Sequence, residues 1–211
     1  MNSMRCLVFG EDQYDCQTIA EIVSRFFDGR LEVQVVNKPI ILNATEASKE
    51  KMRGNIDRVE KAIKVFMKKK PYDFVIVHRD ADAVELHHVS IASALEQDFS
   101  RRLQIPVVPA VPAWETEAWL LLFPGSIAAR RKCWNDVGKI NNVGSIKNAK
   151  EFLRRKTRSK KKSCPDYRES DAPDIARNIP VPISNANDCL QKSASLRLFV
   201  SKIEEQFAQS F

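Results

Sequence analysis

No stretch of this sequence approaches the roughly 20 consecutive apolar residues of a membrane span, and the apolar run before Glu11 is only four residues long, too short for a signal-peptide core. A cytoplasmic location is the expectation. No two cysteines stand as C-x-x-C: Cys6, Cys16, Cys133, Cys164 and Cys189 are scattered and odd in number, which argues against a disulfide framework or a zinc ribbon and reads as reduced, structural thiols. The three histidines, His78, His87 and His88, show neither H-x-x-x-H nor H-E-x-x-H spacing, so a zinc helix is not expected and His78 is read as finishing a strand. The phosphate-binding motif G-x-x-x-x-G-K-[ST] is missing, as are internal repeats. Aromatic residues suited to stacking on single strands are not evident, and Trp114, Trp119 and Trp134 read as core.

What the 211 residues do contain is the material of an ordinary globular chain, 44% hydrophobic and 29% charged, enough for one main core. The net charge of +7 is concentrated: Arg154, Arg155, Lys156, Arg158, Lys160, Lys161 and Lys162 crowd one short run without an acid. Such a run serves either as a solvated loop or helix end, or as a grip on a phosphate backbone, which Arg130 and Arg131 would extend.

Periodicity supplies the architecture. "RCLVF" reads as a buried strand, and Ile19, Ile22, Val23, Phe26 and Phe27 recur at helical spacing after it. "LEVQVV" is a second strand. Met52, Ile56, Val59, Ile63 and Phe66 mark a long amphipathic helix over 48–69, and "DFVIV" is a strand buried on both faces. A helix over 86–103 leads to "IPVVPAVP", whose prolines suit a sheet edge, and "WETEAWLLLF" reads as helical. This alternation predicts an α/β layer fold with a mostly parallel sheet flanked by helices over 1–123. The extension over 124–211 is read as irregular connections around short helices, with "PDIARNI" helical, "IPVPIS" extended, and one terminal amphipathic helix over 190–207 that packs back on the core.

Ligands of open parallel sheets collect beyond the carboxyl ends of the strands, and three acidic clusters fall there: Glu11, Asp12 and Asp15; Asp80 and Asp82; Glu115 and Glu117. Asp15 sits where a helix N-cap is wanted, and Asp12 reads as a turn residue. If the third strand runs on past Val77, Asp80 and Asp82 face the same way, and like charges that close need a cation between them. An all-oxygen cluster points to Mg²⁺ or Mn²⁺. Glu115 and Glu117 share a side only in extended backbone.

With "FGED" holding Glu11 and "HRDAD" holding Asp80 and Asp82, the chain resembles a Toprim domain, the Rossmannoid metal-binding module of topoisomerases, primases and the overcoming-lysogenization-defect nucleases. The nuclease branch often reads E-G-x-x-D, and "EDQYD" keeps Glu11 and Asp15 with Asp12 in place of the glycine. A bacterial Toprim-like group of unknown function is more similar still, sharing "ETEAWLL" from Glu115 and "YRESDAPDIA" from Tyr167. The resemblance implies a metal-dependent nuclease in which Glu11, Asp80 and Asp82 are catalytic and hold Mg²⁺, with Asp15 and Glu115 or Glu117 holding a second ion. It also implies DNA or RNA as partner, an ATPase subunit in trans, and a place as effector in anti-phage defence. Three other readings stand beside it. A receiver domain would use Asp80 but not Asp82; a nucleotide-sugar transferase would use the D-x-D alone; a non-catalytic nucleic-acid-binding subunit would keep the acids as a remnant.

Overall fold

The computed structural model describes residues 3–36, 49–181, 183 and 186–209, with side chains left out at 49–56, 58 and 59. Four strands, β1 (Met4–Gly10), β2 (Leu31–Val35), β3 (Phe74–His78) and β4 (Val107–Ala110), form one sheet in the order β2-β1-β3-β4. Every pairing is parallel. Helices α1 (Gln13–Phe26), α2 (Lys49–Lys69) and α3 (His87–Leu103) make the crossovers. Because side chains alternate across a strand, Cys6 and Val8 join the core on one face while Leu7 and Phe9 join that on the other, and both faces are covered. Hence β1 and β3 read as continuous apolar runs. Ile63 of α2 is buried and Phe66 packs beside it, as the periodicity requires; Met52, Ile56 and Val59 lie outside the described side chains.

β4 occupies an edge, where Pro109 pairs with Val77 on one side and needs no N–H on the other. The segment after it is less regular than its sequence suggests. Instead of one helix over 114–123, a single turn α4 (Glu117–Leu120) is followed by α5 (Pro124–Arg130), the break falling before Pro124. The extension then carries α6 (Ala149–Thr157), α7 (Ala172–Arg177), α8 (Ala186–Lys192) and α9 (Ala194–Gln209), with 3-10 turns at Val143–Ser145 and Glu169–Asp171. Of the expected extended "IPVPIS", Pro182 and Ser184 lie outside the described residues.

The predicted single terminal helix is two helices, broken at Ser193. The Ser193 hydroxyl accepts from the Leu196 N–H as an N-cap. It also donates to the Glu85 carboxylate at 2.9 Å, which further accepts from the Ala194 and Ser195 N–H groups and from the Ser195 hydroxyl. Glu85 therefore closes the start of α9 from more than a hundred residues away. Gly144 makes room for it: a Cβ there would lie 2.1 Å from Glu85 Cγ. α9 packs on the core through Leu196, Phe199, Val200, Ile203 and Phe207, and Trp119 stacks on Phe199 at 5.3 Å while its Nε1 donates to Ser195 Oγ. The extension and the strands thus share one core.

One cysteine expectation is overturned. Cys133 and Cys164 are joined in a disulfide, while Cys6, Cys16 and Cys189 are buried free thiols. Partners 31 positions apart leave no local spacing to read; they meet because Trp134 and Tyr167 pack edge to face beside them. No helix among the described residues is long and apolar enough to cross a membrane.

Candidate metal centre

The strand order reverses direction between β1 and β3, and in open parallel sheets the crevice beyond the carboxyl ends of such a pair is where ligands sit. Gly10 ends β1 and pairs with His78, which ends β3. A Cβ on Gly10 would meet His78 Cβ at 2.6 Å and its Nδ1 at 3.0 Å, so the glycine lets the imidazole lie against the neighbouring strand. Nδ1 is buried there, and Nε2 faces the acids.

Asp12, not Asp15, caps α1: its Oδ1 accepts from the N–H groups of Tyr14 and Asp15. That division of labour leaves the Asp15 carboxylate to turn into the crevice from the first turn of the helix. Asp80 returns toward His78, its Oδ1 3.2 Å from Nε2 and 3.3 Å from the Thr116 hydroxyl that donates to it. Thr116 Oγ1 is also 3.0 Å from His78 Nε2, closing a triangle of polar contacts. Among the described residues, Asp15, His78 and Asp80 form one group whose potential ligand atoms all lie within 4.8 Å of one another.

Electrostatics tie Asp15 and His78 to their neighbours. Burial pushes the Asp15 carboxyl up to about 6, with Asp80 and Asp12 adding to it and His78 opposing it. His78, though fully buried, is pushed up to about 9: desolvation works against its charge, and Asp80, Asp15 and Glu11 together overcome it. Two half-buried acids thus flank one buried imidazole ring.

The other sequence candidates are placed differently. Past His78 the chain stays paired alongside the β4 segment, the Arg79 N–H donating to Ala110 and the Ala81 N–H to Pro112, and it turns only at Asp82, which has φ of 49°, is exposed and is not one of the group of three. Glu11 stands at the mouth of the crevice, near enough for its charge to act on His78, and also lies outside that group. Glu115 and Glu117 diverge. Glu115 Oε2 accepts from the Lys150 N–H and so caps the start of α6, whereas Glu117 is buried and accepts from the Tyr167 hydroxyl at 2.9 Å. Arg130 and Arg131 turn inward, both pairing with buried Asp171 at 2.9 Å. Arg154, Arg155 and Lys156 are exposed on the last turn of α6, and Arg158, Lys160, Lys161 and Lys162 are exposed in the loop that follows.

Two of the segments quoted from the sequence acquire structural work. In "YRESDAPDIA", Tyr167 serves Glu117 and Asp171 clamps the two arginines; in "ETEAWLL", Thr116 is the residue that reaches the crevice. Sequence reasoning passed over His78 as a ligand and passed over Thr116 entirely. The signal for both is the register that sets the end of β3 beside Gly10, not any local spacing.

Glu117 carries a pH signature. Burial, then the Asp15 charge, pushes its carboxyl up to about 8, against the pull of Lys150 and Tyr167. The native state therefore holds a proton that the unfolded chain releases above its ordinary 4.5. Stability from this group is full below that value and declines as pH rises toward 8, by at most about 1.4 kcal/mol per pH unit. Glu117→Gln keeps an acceptor for Tyr167 and removes the titration. Denaturant unfolding between pH 5 and 8 is expected to show a flatter profile for the variant; parallel profiles would contradict the assignment.

Compared with protein-family models, with curated proteins and with solved structures, the chain matches none. The crevice and the sequence motifs around it carry the functional reading.

Proposed function

We propose that this protein is a divalent-metal-dependent phosphodiesterase, a nuclease of Toprim-like type acting on DNA or RNA. The observation that carries the reading is the convergence of Asp15, His78 and Asp80 at the switch point of a parallel sheet. Bonds of about 2.0–2.2 Å place the ligands of one cation up to about 4.4 Å apart, so the three donors fit an ion after a small contraction. The donor set is two carboxylates and an imidazole rather than oxygen alone, which shifts the preference within the expected pair from Mg²⁺ toward Mn²⁺. Glu11, at the crevice mouth, is the remaining carboxylate in electrostatic reach of His78.

A bound divalent ion supplies charge withdrawal from a scissile phosphate and activation of water. The chain's own groups prepare the place. Thr116 fixes the Asp80 carboxylate and the His78 ring in one orientation, and the α1 cap formed by Asp12 fixes Asp15. Lys150, whose ammonium pairs with Glu169 and feels Glu115 and Glu117, keeps positive charge on the side where α6 begins. The exposed cations from Arg154 to Lys162 offer phosphate contacts further along. Arg130 and Arg131, committed to Asp171, are not needed for that surface.

In keeping with the resemblance to overcoming-lysogenization-defect nucleases, we place any ATPase on a separate subunit and the pair in anti-phage defence. We also place the protein in the cytoplasm, where a disulfide such as Cys133–Cys164 is unusual. The test is incubation of the purified chain with labelled DNA and RNA in Mn²⁺, Mg²⁺ or EDTA, alongside calorimetric titration with Mn²⁺. Metal-dependent cleavage with one tight Mn²⁺ site is expected. Absence of a Mn²⁺ site would end the reading.

A further inference from the structure

Helix α6 buries one stripe, Ala149, Leu153 and Thr157, at intervals of four residues, and leaves the adjoining face open. On that face lies a hollow of about 350 Å³ lined by Ile146, Asn148, Glu151, Phe152 and Arg155. Phe152 is half-buried, its inner side packed on the core. The Arg155 guanidinium stands 5.7 Å from the ring centroid and the Lys156 ammonium 5.5 Å from it, so an aromatic ring and two cations share one spot.

The hollow is not isolated from the crevice. Beyond its Ile146 end, Lys147 stands 5.7 Å from the ring of Trp114, whose carbonyl accepts from the Asp82 N–H and whose own N–H donates to Ala83. Lys150, on the same helix, donates its N–H to Glu115. The acid loop, the start of α6 and the hollow thus follow one another, with the rest of the basic run past the far end of the helix.

We propose that this face of α6 binds single-stranded nucleic acid, one unstacked base entering the hollow against Phe152 while Arg155, Lys156 and the cations beyond them hold the flanking phosphates. The inference rests on the nuclease reading for its biological sense but not for its chemistry. A phosphate alone is a poor occupant, because Glu151 lines the hollow; a base edge is a good one, since Asn148 and Glu151 offer both a donor and acceptors to it. A base paired within a duplex does not present its face to a ring, whereas a single strand does. Charge supplies the affinity and the ring selects the strand.

The experiment is fluorescence anisotropy in EDTA with labelled oligothymidine, oligouridine and a DNA duplex of equal length, about 15 nucleotides, within the range that single-strand sites cover. Both single strands are expected to bind more tightly than the duplex, and the tighter of the two names the sugar. Phe152→Leu keeps apolar bulk for the core but removes the stacking face, and is expected to weaken single-strand binding by about 5- to 100-fold with no change for the duplex. Arg155→Ala should lower affinity for both and reduce the salt slope by about one. Duplex binding as tight as single-strand binding, or a Phe152→Leu protein that folds and binds like wild type, overturns the proposal. Binding of this kind without Mn²⁺-dependent cleavage would sink the nuclease reading alone; cleavage indifferent to Phe152 would sink this one alone.

Discussion

Asp80→Asn is expected to lower metal-dependent cleavage, and affinity for Mn²⁺, by at least about 100-fold while leaving the fold in place. Replacing even an outer partner of a metal ligand costs about 10- to 100-fold, and Asp80 is one of the three convergent donors found among the described residues. The amide keeps the shape of the carboxylate and can still accept from Thr116, so the geometry around it survives. Two charge effects on stability oppose each other, because the substitution removes the like charge that helps push up Asp15 and also the acid that does most to hold charge on buried His78. Asp82→Asn is the internal control: an exposed side chain outside the convergent group should leave cleavage within a few-fold of wild type. Equal losses for the two variants would mean that the ion is held by the D-x-D as a unit and not by the Asp15, His78 and Asp80 group.

The largest effect on stability is expected at Asp171. Its carboxylate is 1% exposed and accepts from Arg130 Nε at 3.1 Å, from Arg131 Nη2 at 2.9 Å and from the Arg168 N–H at 3.1 Å. Asp171→Ala leaves two guanidinium groups facing each other over a desolvated gap, and breaking such a pair from one side costs about 3–5 kcal/mol. Both arginines keep some access to water, which places the expectation near 3 kcal/mol. Urea unfolding with an unchanged denaturant slope measures it; a loss below about 1 kcal/mol would show that the arginines resolvate freely. The same substitution frees Arg131 from this clamp and leaves Arg130 paired with Asp174 alone, so any gain in nucleic-acid affinity would show that the clamp withholds an arginine from a ligand.

The sheet was legible because burial on both faces writes itself as unbroken apolar runs, and prolines wrote the edge position of β4. Two of the three convergent donors, Asp15 and Asp80, were legible as acids after strands. His78 was not, because a histidine ending a strand becomes a ligand only through what the neighbouring strand brings, and register is a tertiary property. Asp12 and Asp15 exchanged the roles their spacing suggests, since a cap three residues ahead fits α1 better than one inside its first turn. Glu115 and Glu117 scattered because a helix turn begins between them. The disulfide and the break at Ser193 both depend on partners distant in sequence, Cys164 on Cys133 and Ser193 on Glu85.

That last partnership governs when the crevice can exist. Glu85 belongs to the loop that carries Asp80, yet the groups that fasten it come up to 110 positions later. A nascent chain can pair its strands and dock its crossover helices long before those groups are synthesised, but the loop stays unlatched until α9 arrives. Fastening of the acid loop then waits for α9, and a translation product interrupted before it would carry the acids without the contacts that hold Glu85.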